Sequence, residues 1–287
     1  MRRALRRGHG LPFLAVLAWL SGGSLAQETC PRAGDVSARV ISVNERLDLT
    51  LDDGRQLKIA GADPPRPTPD DPALDIRARD ELAGWLGGRT IAFRVARAGQ
   101  DRWGRLAAFV YGPDPQNGDG QGAPELSVAE ALIDAGLARY DPGLAAQGCR
   151  GLFLAAEAEA RAAKLGLWAD PYYAVLDPGA PGSFAERAGS MVILAGKVTS
   201  AAGRRPRVIF YVGPSLGPRS GIAVTMLART GEQFEAAYAA AQRLAGKTVR
   251  VRGLLDTRFG PRLEIRSLDA VELLGAEQGS ASSRSEP

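Results

Sequence analysis

The chain has 287 residues, 45% of them hydrophobic and 24% charged, which at roughly 100 to 200 residues per domain makes about two domains. With 35 Gly and 19 Pro, the composition falls short of collagen-like or low-complexity protein, so folded domains with generous loops are expected. The net charge of +4 depends on position: Arg2, Arg3, Arg6 and Arg7 sit in the first seven residues with no acidic residue beside them.

Those arginines precede an apolar run, Leu11 to Leu20, and then Ser21-Gly-Gly-Ser-Leu-Ala26, the three zones of a secretory leader with cleavage expected after Ala26. The apolar run is shorter than the roughly 20 residues needed to span a bilayer, and Glu28-Thr29 before Cys30 is not the small pair of a lipidation site. No stable membrane anchor is expected, and the mature protein should be periplasmic or extracellular. Removing residues 1–26 leaves 32 basic and 32 acidic side chains and deletes the only histidine, His9. Catalytic triads with histidine and histidine-based zinc sites are thereby excluded. Cys30 and Cys149 remain, and an oxidising compartment favours their pairing over two free thiols.

In chain order, Val40 to Leu51 and Leu57 to Ala60 alternate around the turn Asp52-Asp53-Gly54 and predict a hairpin. Leu74 to Leu86 predicts an amphipathic helix closed by Gly87-Gly88. Thr90 to Val95 and Leu106 to Tyr111 predict strands, and Gly112 to Pro124 a surface loop. Ser127, with Glu130 three residues on, predicts a capped helix ending at Gly136, and Leu152 to Leu165 a longer one. Residues 173–187, including Asp177-Pro-Gly-Ala-Pro-Gly182, have linker composition. Beyond them the pattern predicts strands at Met191 to Val198, Val208 to Val212 and Ile222 to Leu227. A helix at Glu232 to Leu244 follows, then strands at Thr248 to Leu254 and Leu263 to Leu273. Three strands, a helix and two strands is the element order of an OB-fold barrel. The first half offers a similar order, so the fold class is mainly β with helices (α+β), two related barrels in all. Residues 276–287 read as a disordered tail.

Charge separates the halves. Residues 27–187 carry 18 basic and 24 acidic side chains, and residues 188–275 carry 13 and 6. A polyanion would meet the second half, or that half would dock on the acidic one.

The run Asp101-Arg-Trp-Gly-Arg-Leu-Ala-Ala-Phe-Val-Tyr111 follows Ala60-Gly-Ala-Asp-Pro-Pro65. It precedes Leu132 to Ala138, and Ala155-Ala-Glu157 through Gly166-Leu-Trp168. Together these resemble the staphylococcal-nuclease (thermonuclease) family over roughly residues 36–172. The resemblance implies an OB barrel with helices, cleavage of DNA and RNA phosphodiesters, one calcium ion held by carboxylates, a glutamate near the attacking water and two phosphate-binding arginines. It places Arg105 at the second arginine, Trp103 at a tyrosine that packs the nucleotide, and Asp63 at a metal aspartate. Elsewhere the pattern departs. The family's Asp-Gly-Asp-Thr becomes Glu45-Arg46-Leu47-Asp48, its first arginine becomes Lys58, and its glutamate becomes Arg66. Strand alternation puts Leu47, Leu49 and Leu51 on one face, so Asp48 reaches the principal aspartate's position only through a one-residue bulge, and Glu45 is the other weak candidate. A degraded calcium site with no cofactor is expected; an active or residual calcium-dependent phosphodiesterase is the alternative.

In the second half, Arg204, Arg205 and Arg207 lie in the first inter-strand loop, and Arg250, Arg252, Arg258 and Arg262 flank the last hairpin. These are regions by which OB-folds grip oligonucleotides, with Phe210, Tyr211 and Phe259 as candidate stacking partners. The implied partner is single-stranded nucleic acid, unless the charge serves to dock the two halves.

Overall fold

Period-two alternation along the strands gives each of two sheets one apolar face, and both sheets bury that face by closing into a barrel. The computed structural model describes residues 30–31, 34, 36–114, 125–143, 147–180, 182, 184–214 and 221–275. The expected leader, the expected tail and most of the loop at 112–124 lie outside the described residues.

The first half contains β1 (Val36–Val43), β2 (Leu49–Leu51), β3 (Gln56–Ile59), β4 (Ala62–Asp63), α1 (Leu74–Leu86), β5 (Thr90–Val95) and β6 (Arg105–Pro113). It continues through β7 (Glu125–Ser127), α2 (Val128–Asp134), β8 (Arg139–Tyr140) and α3 (Arg150–Ala162). The sheet order is β3-β2-β1-β5-β6-β7, and β3 also pairs in parallel with β6, closing five strands with β7 appended. Val40, Leu49, Leu51, Leu57, Phe93 and Val110 fill the interior, and Leu82 and Leu86 of α1 join the same core. The Ser127 hydroxyl caps α2 by accepting the Glu130 amide at 3.3 Å. Gly136 follows that helix with φ +68°, and a Cβ there would lie 2.3 Å from the Leu165 carbonyl oxygen, so turn and close approach both demand glycine.

The second half contains β9 (Met191–Arg204), β10 (Arg207–Val212), β11 (Ile222–Leu227), α4 (Gly231–Arg243), β12 (Thr248–Asp256), β13 (Arg262–Ile265) and β14 (Val271–Leu274). Its order is β13-β11-β10-β9-β12-β14, closed by β13 on β12. The expected order holds through β12, but the single strand expected over Leu263 to Leu273 is two, β13 and β14, separated by a turn at Leu268–Ala270, and β9 is longer than its apolar alternation suggests. Its first part pairs with β12 and its second with β10. A Cβ at Gly203, in that second part, would meet the Phe234 and Tyr238 rings of α4 at 2.9 Å, so small residues there make room for the helix.

The stretch expected as a linker is bonded, not a free tether. The Leu176 amide donates to the Ile193 carbonyl at 2.7 Å, and the Ala195 amide donates to the Leu176 carbonyl at 3.0 Å. A further apolar cluster joins Leu74, Ala160, Leu167, Trp168 and Tyr173 to Ile193 of β9. Among the described residues, no helix is long and apolar enough to cross a membrane.

Cys30 and Cys149 form a disulfide across 119 residues of sequence, and no free cysteine remains among the described residues. Bridging a loop that long restricts the unfolded chain, and losing a native disulfide costs about 2–5 kcal/mol. The Cys30→Ala/Cys149→Ala variant is therefore expected to melt on the order of 10 °C below the parent by calorimetry; an unchanged melting temperature would count against a stabilising bridge.

Candidate functional site

The connection from β1 to β2 is a tight turn of five residues, Asn44 to Asp48, whose ends bond to each other. The Leu47 amide donates to the Asn44 carbonyl at 2.9 Å, and the Asn44 amide donates to the Asp48 carbonyl at 3.1 Å. Leu47 takes φ +58°, the left-handed position that closes such loops and that usually falls to glycine or asparagine. The Asn44 side chain holds the turn: its Oδ1 accepts the amides of Arg46 and Asp48, and its Nδ2 donates to Asp48 Oδ2 at 3.1 Å. Leu47 is only 2% exposed and belongs to the barrel core with Leu49 and Leu51, as the alternation predicts.

Asp48 is buried against Arg105 instead. Arg105 Nη1 donates to both Asp48 oxygens, at 2.9 and 3.1 Å, while its Nε and Nη2 donate to Asp101 Oδ2 at 2.9 and 2.7 Å. One guanidinium thus joins two carboxylates. Burial alone would raise the Asp101 carboxyl, but the bonds from Arg105 and from the amides of Arg105 and Trp103 hold it down to about 2. The Trp103 ring is 53% exposed, with the Arg102 guanidinium 3.9 Å and that of Arg105 4.9 Å from its centroid.

The other candidates are bound elsewhere. Asp63 Oδ2 accepts Arg139 Nη2 at 2.6 Å, Lys58 Nζ lies 3.4 Å from Asp141 Oδ2, and Glu45 Oε1 accepts Arg79 Nη1 at 2.9 Å. Arg66 is exposed, and its backbone is fixed by the Tyr173 hydroxyl, which accepts the Arg66 amide at 2.7 Å and donates to its carbonyl at 3.1 Å. The sequence reading passed over Arg139 and Asp141; the signal is a short run, Ala138-Arg-Tyr-Asp141, whose charged residues bracket an aromatic. Register explains their arrival, since β8 pairs with β4 and sets Arg139 opposite Asp63. Among the described residues, no group of three or more His, Cys, Asp or Glu is arranged to hold a metal ion.

In the second barrel, Arg204 and Arg207 are direct partners across the β9–β10 hairpin and both are exposed. Arg205, in the turn, pairs with Glu235 of α4. From this end the outward positions of three adjacent strands are small or uncharged: Ala202 and Ser200 on β9, Ile209 and Tyr211 on β10, Thr225 and Ala223 on β11, all half-buried. Arg262 of β13 stands level with Ala223 at the far end, about 13 Å away for four strand residues. Beyond it, the β12–β13 turn carries Phe259, 87% exposed. Asp256 holds that turn by accepting bonds from both Arg258 and Arg262, which keep its carboxyl well below the usual range. Arg250 and Arg252 do not join this face. Arg250 Nη1 donates to Glu272 Oε1 at 2.7 Å, and the Arg252 side chain is 2% exposed.

Residues 77–170, 94 of the 287, match the family model described as staphylococcal nuclease homologue. No curated protein matches the chain.

The depressed Asp101 carboxyl gives a pH test. Its folded value, about 2 against an ordinary 3.8, supplies stability that is complete above pH 4 and is lost as pH falls toward 2. In Asp101→Asn that contribution is absent at every pH. Its melting temperature should lie below the parent's at pH 7 and should fall less steeply between pH 4 and 2; parallel profiles would refute the assignment.

Proposed function

We propose, from the premise that the chain carries a staphylococcal nuclease homologue domain, that this domain does not cleave nucleic acid, and that the protein binds single strands through its second barrel. Calcium takes six to eight oxygen ligands and needs their charge unopposed. Here Leu47 offers the barrel core a side chain and the site no oxygen, Asp48 is joined to Arg105, and Asp63 to Arg139. Arg66 stands where the family's glutamate is expected. The residues present do not fit a calcium ion, and Lys58 lacks the two-pronged geometry by which arginine grips phosphate.

The observation that carries the binding reading is the facing pair Arg204 and Arg207. Like charges directly opposite in a sheet are destabilising, and this pair sits at the head of a neutral strip with a second arginine end. Such a strip suits a phosphate backbone crossing it with bases over Tyr211 and Phe259, a stacking mode indifferent to sequence. The disulfide supports a place outside the cytoplasm. The runner-up, a residual phosphodiesterase, draws on Asp48 and Arg105 being brought together.

Incubated with single-stranded DNA and calcium, the protein is expected to leave the strand intact while binding it with an affinity that falls as salt rises. Arg204→Ala/Arg207→Ala should weaken binding similarly for all sequences and flatten the salt slope by about 1.4, at about 0.7 per phosphate contact. Calcium-dependent cleavage abolished by Asp48→Ala or Arg105→Ala would establish the runner-up, and absence of binding at low salt would remove the single-strand reading.

A further inference from the structure

Glu157 of α3 has none of its surface exposed. Its Oε1 accepts the Tyr140 amide at 3.0 Å, and its Oε2 accepts Arg252 Nη2, reaching across from β12 of the second barrel. Arg161 of its own helix also forms an ion pair with it, at 3.6 Å and without a hydrogen bond. Around this pair lie Glu272 and Arg250 of the second barrel, with Arg252 Nη1 3.6 Å from Glu272 Oε2. The Arg252 guanidinium also lies 5.4 Å from the centroid of the Tyr140 ring. The seam is dry enough that burial pushes the Tyr140 hydroxyl up to about 12, although Arg150 and Arg252 pull it the other way. Arg150 of α3 crosses in the opposite direction, donating to the carbonyls of Asp269 at 3.3 Å and Val271 at 2.8 Å.

A buried carboxylate without a full counter-charge is strongly destabilising, and breaking a buried pair by removing one partner costs far more than neutralising both. The first barrel alone would leave Glu157 with one backbone amide and the Arg161 guanidinium at 3.6 Å, an ion pair without a hydrogen bond. We infer that the basic barrel is the fixed binding partner of the acidic one, docked on the face made by Glu157, Tyr140 and Arg150, and that Arg250 and Arg252 serve this seam and not an external ligand. The covalent connection between the halves is then dispensable once they have folded. Because the central pair is shielded from water, salt does not open the seam, unlike contacts between exposed charges.

A protease recognition sequence inserted between Ala174 and Val175, so that Leu176 stays with the second barrel whose β9 it pairs with, allows the folded full chain to be cut. The cut protein is expected to elute in gel filtration as one particle of full mass at both 0.1 and 1 M salt; separation of the halves at either would overturn the inference. In the uncut chain, Arg252→Met is expected to lower the melting temperature by about 10 °C, and an unchanged value would also overturn it. Should that variant fail to fold, Glu157→Gln/Arg252→Met keeps an acceptor for the Tyr140 amide without a buried charge. Its melting temperature is expected above that of either single variant, whereas simple additivity would show that the two residues are not coupled.

Discussion

Glu157 is a carboxylate with no exposed surface, and both of its oxygens are engaged by groups that position other parts of the molecule. One oxygen fixes the backbone of Tyr140, and with it the short strand that brings Arg139 to Asp63. The other oxygen holds Arg252 and thereby the second barrel. A single carboxylate therefore links the local geometry of the candidate site to the docking of a whole domain, which hydrophobic contact at Ile193 reinforces without directing. Apolar burial is nearly indifferent to orientation; a buried ion pair is not.

The same rule operates at the candidate site of the first barrel. Asp48, Asp63, Asp101 and Asp141 could in principle offer oxygens to a cation, yet each faces an arginine or a lysine of this chain. A nuclease site must leave carboxylates open to a metal and guanidiniums open to phosphate; here the two kinds of group satisfy each other. The second barrel makes a contrasting arrangement, with Arg204 and Arg207 opposed to one another across a hairpin. The first barrel's site residues pair with one another, whereas Arg204 and Arg207 of the second stay exposed, and this difference, more than the shared architecture, separates their proposed roles.

Much of the fold is legible in the residues. Alternation predicts the strands that close each barrel, Ser127 and Gly136 bracket α2 as their chemistry requires, and the two cysteines expected to pair are joined. The length of β9 was not legible, because a strand serving two neighbours needs no continuous apolar face and small residues there answer to the rings of α4. Nor was the role of Arg252. On paper it alternates with Val251 like any solvent-facing residue; it is covered by a second domain, and one strand's pattern carries no information about what docks on its polar side. Asp48 presents the opposite case. Its face follows from alternation, but its burial follows from a left-handed Leu47 held by Asn44, a turn that the sequence Asn44-Glu-Arg-Leu-Asp48 does not announce.

The central claim is that ligand goes to the second barrel while the first barrel's site is closed by its own ion pairs. Amide chemical shifts of the intact protein, followed while a short single-stranded oligonucleotide is added in the presence of calcium, test it most directly. The account predicts shifts along Arg204 to Tyr211 and Ile222 to Leu227, with Asp48, Lys58, Asp63 and Arg105 unmoved. Calcium-dependent shifts centred on Asp48, Asp63 and Arg105, with β10 and β11 silent, would contradict it.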